Sequence, residues 1–232
     1  MAVLALIPAA GIGRRMGADV SKQFLTLAGR PILAHTLDIF QSSSLVDAII
    51  LVVPRQEQDL CRRQVLASGR YSKLRPLVDG GAERQDSVRN GLRASGAAAD
   101  DIVLIHDGVR PLFDPGHLPE LIDAAETTGA AVLGVPVKDT VKRVAAGRVT
   151  ETPPRSDLWL TQTPQAFPFA VIAEAHEKAL TEGFAGTDDA SLVERLGRPV
   201  AMVEGDYRNL KITTPEDLLV AEALMDRGGN RP

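Results

Sequence analysis

The chain alternates short apolar runs with stretches in which apolar residues recur every three or four positions. The runs are Val3-Leu4-Ala5-Leu6-Ile7, Val46–Val53, Ile102-Val103-Leu104-Ile105 and Ala131–Val137. Each has strand length and almost no polar face, which predicts strands buried on both sides of a parallel sheet. Between them, Pro31–Phe40, Glu57–Leu66 and Pro115–Thr128 carry helical spacing, with Pro31 expected at the first helical position, where its missing N–H costs least. Arg75–Asp79 reads as a short strand, and Arg84–Leu92 as a helix opening behind Gly80-Gly81. Pro168–Leu180 reads as a helix, Thr187-Asp188-Asp189-Ala190 as the capped start of another, and Val200–Val203 as a late strand. Thr214-Pro215-Glu216-Asp217 opens the last helix, with proline at N1 and acids in the first turn. The expectation is an α/β fold: one Rossmann-like domain over residues 1–232, mostly parallel sheet with helices on both faces.

From Lys138 to about Gln162 the rhythm changes. Val141, Arg143, Val144, Gly147, Arg148 and Val149 alternate without helical spacing, and the segment 138–162 reads as a protruding arm of two strands. An isolated two-stranded arm is marginal in water. A second copy of the chain is the economical surface for it, so a homodimer is expected.

The first apolar run breaks into Pro8-Ala9-Ala10-Gly11-Ile12-Gly13-Arg14-Arg15-Met16-Gly17, followed by Ser21-Lys22-Gln23-Phe24. Small residues let a ligand approach backbone N–H groups, and Arg15 and Lys22 add side-chain cations, a combination suited to a polyphosphate. The glycine spacing is that of neither a G-x-G-x-x-G fingerprint nor a Walker loop. In a parallel α/β sheet, ligands lie beyond the carboxyl ends of the strands. The loops carrying Gly81 and Ser87, then His106-Asp107-Gly108-Val109-Arg110, and finally Asp206, Asn209 and Lys211 should therefore share a crevice with the first. No nucleophile elbow, Cys/His pair or metal-binding histidine spacing accompanies them. Cations, backbone donors and one carboxylate suit phosphoryl or nucleotidyl transfer, with Asp107 as the candidate ligand for Mg²⁺. His106 is expected to orient its loop rather than to act as a base, and Trp159 to pack.

Composition narrows the setting. The chain has 232 residues, 44% of them hydrophobic, and a formal net charge of −4, so it is not built to coat nucleic acid or an anionic membrane. Its one cysteine, Cys61, forms no internal disulfide, and no apolar run reaches the ~20 residues of a membrane span. A cytoplasmic protein is the expectation.

Seven motifs stand in order: Pro8-Ala9-Ala10-Gly11-x-Gly13-x-Arg15-Met16-Gly17, Lys22-Gln23-Phe24, Gly80-Gly81-x-x-Arg84-x-x-Ser87-Val88, His106-Asp107-x-x-Arg110-Pro111, Asp139-Thr140-Val141-Lys142, Thr163-Pro164-Gln165 and Asn209-x-Lys211-Ile212-Thr213-x-Pro215-Glu216-Asp217. Together they resemble the 2-C-methyl-D-erythritol 4-phosphate cytidylyltransferase family of the non-mevalonate isoprenoid pathway, from about residue 3 to residue 224. The resemblance implies a nucleotidyl transfer in which CTP and methylerythritol phosphate give a CDP-alcohol and pyrophosphate. It implies that Arg15 and Lys22 stabilise the transition state, and that Arg155 and Lys211, with Thr140 and Arg110, position the attacking phosphate. It places cytosine against Pro8, Ala9, Ala10 and Gly11, near Gly81 and Ser87, and puts Thr140 and Arg155 on an arm exchanged between the sites of a dimer. Gly108-Val109 stands where the family more often has two small residues. Three other readings remain open at this stage. Ribitol 5-phosphate cytidylyltransferase shares most of these motifs. A dinucleotide-binding oxidoreductase would need an acidic residue ~20 positions past the glycines and a catalytic Tyr-x-x-x-Lys pair. A non-catalytic nucleotide-binding module would keep the loops alone.

Overall fold

The computed structural model describes residues 1–11 and 21–228, the side chains of 227 and 228 excepted. In chain order the elements are β1 (Val3–Pro8), a 3₁₀ turn (Lys22–Phe24), β2 (Thr26–Leu27), β3 (Arg30–Pro31), α1 (Ile32–Ser42), β4 (Ala48–Val53), a 3₁₀ turn (Arg55–Glu57), α2 (Gln58–Gln64), β5 (Val78–Asp79) and α3 (Arg84–Ala94). There follow β6 (Ile102–Ile105), α4 (Leu118–Thr128), β7 (Ala131–Pro136), β8 (Arg143–Ala145), β9 (Arg148–Glu151), β10 (Trp159–Pro168), α5 (Phe169–Glu182), α6 (Asp189–Arg195), β11 (Ala201–Glu204) and α7 (Pro215–Gly228).

Seven strands form one sheet in the order β11-β7-β10-β6-β1-β4-β5. All neighbours run parallel except β10, which is antiparallel to both β6 and β7. Every residue of β1 is buried, because its side chains alternate between two cores. Val3, Ala5 and Ile7 face α1, α2 and α4 through Leu37, Phe40, Cys61 and Leu121. Leu4 and Leu6 face α3, α5 and α6 through Val88, Leu92, Ile172 and Val193. Each such large side chain contributes about 1.5–3 kcal/mol by leaving water, so the central strands are the least movable part of the molecule. A third cluster, of Leu27, Ile32, Val109, Ile212 and Ala221, docks α7 beside the loop that follows β6.

The local reading holds with three corrections. Pro31 is the N-cap of α1 rather than its first helical residue. Of Arg75–Asp79 only Val78 and Asp79 form a strand, although Leu74 bridges Ile49. The largest correction is β10: the segment read as arm up to about Gln162 overlaps a central strand, because Trp159–Pro168 is a ten-residue strand in the middle of the sheet. Its register shifts between Thr161 and Gln165, and the peptide bond Thr163-Pro164 is cis. The arm itself is β8 paired with β9, its residues all exposed, Val144 and Val149 among them.

Candidate active site

The carboxyl ends of β1, β5 and β6 bring three loops together. Ala9 N donates to Val52 O at 2.8 Å, Gly80 N to Val53 O at 3.0 Å, and Gly108 N to Pro8 O at 3.3 Å, so each loop leaves its strand hydrogen-bonded to a neighbour. Gly80 is required where it is: a Cβ there would lie 2.6 Å from Ala10 Cβ, and only a residue without one lets the first and second loops touch. Gly81 N then donates to Ser87 Oγ at 3.0 Å, on the first turn of α3, which a reciprocal Glu83/Asp86 capping box fixes. These loops enclose a cavity of about 90 Å³. Pro8, Ala9, Ala10 and Gly11 form one wall, Lys22, Gln23 and Ser87 another, and Arg84, Asp107, Val109 and Lys211 the rest. A second cavity, of about 260 Å³, lies across Arg84, Asp107 and Lys211 and extends to Arg110, Thr163, Gln165, Thr187 and Asp188.

The partition between the two cavities is ionic. Arg84 Nε meets Asp107 Oδ1 at 3.0 Å while its Nη1 meets Asp189 Oδ2 at 2.7 Å. Lys211 Nζ takes Asp107 Oδ2 at 2.9 Å, and Arg110 Nε stands off the same oxygen at 3.6 Å. Burial works against ionisation of Asp107, but Arg84, Lys211 and Arg110 outweigh it and hold the carboxyl far below the usual carboxylate range. Burial likewise opposes the charge of Arg84, and Asp189 and Asp107 outweigh it, raising the guanidinium above its ordinary value. Asp189 is fully buried; its other oxygen accepts from His176 Nε2 at 3.1 Å. The result is a chain of partners from α5 through α6 and α3 to the floor of the site.

A neutral network supports the charged one. Asp107 N donates to Thr163 Oγ1 at 3.1 Å, Thr163 Oγ1 lies 3.2 Å from His106 Nδ1, and His106 Nε2 lies 3.1 Å from Arg110 O. Since a carbonyl only accepts, Nε2 carries the proton and Nδ1 accepts from the Thr163 hydroxyl. Burial pushes the His106 imidazole down to about 4, which keeps it neutral and makes it the orienting group expected. Its ring packs edge-on to Phe40 at 5.0 Å between centroids. Asn209 Nδ2 donates to Thr163 O at 2.8 Å and Arg110 Nη1 to Asn209 O at 2.7 Å, tying the last loop to β10. Arg110 Nε and Asn209 Oδ1 are buried and have no hydrogen-bond partner among the described residues.

Of the residues singled out in the sequence, Pro8, Ala9, Ala10, Gly11, Lys22, Ser87, Asp107 and Lys211 line the first cavity, Arg110 lines the second, and Gly81 is bonded to Ser87. Gly13 and Arg15 lie outside the described residues. Thr140 and Arg155 are on the exposed arm and line neither cavity; Arg155 Nη1 donates to Lys138 O at 3.0 Å. Asp206 contributes its carbonyl, to Gln162 Nε2 at 2.9 Å. Arg84 and Thr163 stand in the sequence only as motif residues, Asn209 as a neighbour of Lys211 on the last loop, and Asp189 only at a helix start; the structure places all four in the network. The chain does hold one Tyr-x-x-x-Lys pair, Tyr207 and Lys211, but Tyr207 donates to Pro136 O at 2.6 Å beneath Lys138 Nζ, and Lys211 is bound to Asp107. They form no catalytic pair. No helix among the described residues is long and apolar enough to cross a membrane.

Comparison with known proteins adds names to this geometry. A family model described as 2-C-methyl-D-erythritol 4-phosphate cytidylyltransferase matches residues 3–227. Proteins of that name from Syntrophotalea carbinolica and Geobacillus kaustophilus are 56% identical over 230 residues and 52% identical over 221 residues, covering 99% and 95% of this chain and 99% and 96% of their own. Among solved structures, 4-diphosphocytidyl-2C-methyl-D-erythritol synthase from Anaerococcus prevotii superposes with a TM-score of 0.84 at 35% identity, covering 97% of this chain and 96% of that one. The 2-C-methyl-D-erythritol 4-phosphate cytidylyltransferase of Thermus thermophilus gives a TM-score of 0.76, also at 35% identity, with 97% and 100% covered.

Proposed function

The chain belongs to the 2-C-methyl-D-erythritol 4-phosphate cytidylyltransferase family, CTP-dependent nucleotidyltransferases that form 4-diphosphocytidyl-2-C-methyl-D-erythritol for isoprenoid biosynthesis, and we propose how its residues divide that work. CTP occupies the first cavity, with cytosine against the backbone of Pro8 to Gly11 and beside Gly81 and Ser87. The acceptor's phosphate occupies the second cavity, held by Lys211 and Arg110. The observation that carries this reading is the shared wall: Asp107 and Lys211 line both cavities, so an α-phosphorus on one side and a phosphate on the other meet across them. An acceptor oxygen there would also give Arg110 Nε a hydrogen bond, where it now has only Asp107 Oδ2 at 3.6 Å.

In the reaction a phosphate oxygen of the acceptor forms a bond to the α-phosphorus, the bond from that phosphorus to the bridging oxygen of the β-phosphate breaks, and pyrophosphate leaves with the electron pair. No protein group is needed as a nucleophile. Lys22, with Arg15, stabilises charge that builds on the α-phosphate oxygens, and such donors contribute most when held in place beforehand. Asp107 suits Mg²⁺: it is one hard, fully ionised oxygen donor at the phosphate cavity, and this ion takes few carboxylates together with phosphate oxygens and water. Bound there, Mg²⁺ would draw charge from the phosphates. Thr140 and Arg155 act from the partner's arm in a homodimer; the solvent-exposed valines of β8 and β9, and the fact that neither Thr140 nor Arg155 lines a cavity of its own chain, support this. The single buried cysteine, with its thiol pushed up to about 12 by burial, fits a cytoplasmic setting.

The test is pyrophosphate release with CTP and Mg²⁺, comparing methylerythritol phosphate with ribitol 5-phosphate. Release with methylerythritol phosphate alone is expected, and loss in Lys22→Ala and Arg15→Ala. Release with ribitol 5-phosphate instead would overturn the acceptor assignment while leaving the division of roles intact.

A further inference from the structure

Glu57 belongs to none of the motifs and does not line the nucleotide cavity. It ends the 3₁₀ turn Arg55–Glu57 just beyond β4, with its N–H donating to Pro54 O at 2.8 Å, and β4 is paired along its length with β1. Its carboxylate is therefore anchored one turn beyond the end of a central strand. Both oxygens are spent on one short segment. Ser21 Oγ donates to Oε1, and Gln23 Nε2 donates to Oε2 at 3.1 Å. The same Gln23 amide donates to Ala9 O at 2.7 Å, and its side chain is 1% exposed. Residues 21 and 23 flank Lys22, whose side chain lines the cavity. One carboxylate thus grips the neighbours on either side of Lys22 and, through Gln23, couples them to the wall formed by Ala9.

We propose that Glu57 is a positioning residue for Lys22, fixing where its ammonium group meets the nucleotide. The proposal rests on the assignment of Lys22 as a transition-state stabiliser. A carboxylate accepts from both at once, one donor on each oxygen; an amide in its place keeps its oxygen for Gln23 and must turn its NH₂ toward Ser21, whose hydroxyl then accepts instead of donating, so the grip is kept in part and loses its charge. A displacement near 1 Å of a group that acts in the transition state costs on the order of 10²-fold in rate, so the role is read in kcat more than in affinity.

The experiment measures kcat, the KM for CTP and thermal unfolding for Glu57→Ala, Glu57→Gln, Lys22→Ala and the double variant Glu57→Ala/Lys22→Ala. Expected for Glu57→Ala is a fall in kcat of roughly 10- to 100-fold with KM for CTP changed less than threefold, and for Glu57→Gln a loss between that and the native enzyme. In the double variant kcat should match Lys22→Ala alone, since once Lys22 is gone Glu57 has nothing left to position. Three results would overturn the role of Glu57 beside a Lys22→Ala whose kcat is strongly reduced but measurable: a kcat for Glu57→Ala within twofold of native, losses that multiply in the double variant, or a lowered unfolding temperature with kcat per folded molecule unchanged. Full activity of Lys22→Ala would instead overturn the assignment of Lys22, and the role of Glu57 with it.

Discussion

Asp189→Asn isolates the ionic chain behind the site, because it keeps the side chain's shape and removes its charge. In the native protein one oxygen accepts from His176 Nε2 at 3.1 Å and the other from Arg84 Nη1 at 2.7 Å, with Asp189 only 1% exposed. An asparagine offers one oxygen and one NH₂, so with its oxygen on Arg84 it faces His176 Nε2 with a donor, and the other His176 tautomer would relieve that only by burying an Nδ1–H that has no partner among the described residues. Removing one member of a buried pair costs about 3–5 kcal/mol. Here Arg84 retains Asp107 and about a third of its side chain is exposed, so water and the remaining carboxylate offset part of that, leaving roughly 2–3 kcal/mol. Urea denaturation at pH 7 measures it. The pH dependence gives a second check. Burial would raise the Asp189 pKa, but Arg84 and the His176 hydrogen bond outweigh it and the folded value is depressed. A depressed carboxylate contributes stability that is complete above the unfolded value of about 3.9 and is lost as pH falls through the folded value. The gap between native protein and variant should therefore be full at pH 6–7 and shrink below pH ~4. A gap under about 0.5 kcal/mol at pH 7, or one that persists undiminished at pH 3, would refute the reasoning.

Burial of His106 has the opposite kind of group and the same direction: its folded value near 4 lies below the unfolded value of about 6.5, so the unfolded chain binds the extra proton and stability falls as pH drops between them. The native protein should lose about 2–3 kcal/mol from pH 7 to pH 4.5 that His106→Gln does not lose, as read by urea denaturation of both. Asp107→Asn should raise the Mg²⁺ concentration giving half-maximal activity by at least about tenfold, and an unchanged midpoint would remove Asp107 from the metal. Mixing inactive Lys22→Ala with inactive Arg155→Ala tests the exchanged arm: a mixed dimer holds one site with native Lys22 and a native arm from its partner. Pyrophosphate release should return on mixing, and its absence in a mixture shown by mass spectrometry to contain mixed dimers would exclude exchange.

What the sequence displayed and what it hid have separate physical causes. β1, β4, β6 and β7 are buried on both faces, so their side chains are almost all apolar and the runs stand out. β10 is equally central, yet Gln162, Thr163 and Gln165 interrupt it. Those polar side chains are buried because they serve the site: Gln162 donates to Asp206 O, Thr163 accepts from Asp107 N, and Gln165 joins Asp188 to Ala190 N. A strand that carries function inward loses the apolar signature by which strands are read. Arg84 and Asp189 were illegible as partners for a different reason, since 105 residues separate them and no spacing rule spans that distance. Glu57 escaped because it looked like an ordinary first-turn acid of a surface helix.

The charge cluster also explains how a buried carboxylate stays available. Among the described residues, Arg84, Arg110 and Lys211 surround Asp107 and Asp189, leaving one positive charge in excess in a chain whose overall charge is −4. A polyphosphate entering beside Lys22 meets that excess. If Asp107 held Arg84, Lys211 and Arg110 with no alternative for them, turning toward Mg²⁺ would strand three charges at the floor of the site. None is stranded: Arg110, the most buried, keeps Asn209 O at 2.7 Å. Arg84 already has its shorter bond, 2.7 Å, to Asp189 rather than Asp107, and Lys211, 38% exposed at its side chain, opens onto the cavity assigned to the acceptor's phosphate. Asp189 therefore does more than stabilise the fold: by giving Arg84 a second partner, it lowers the cost of freeing Asp107 at the moment the substrates arrive.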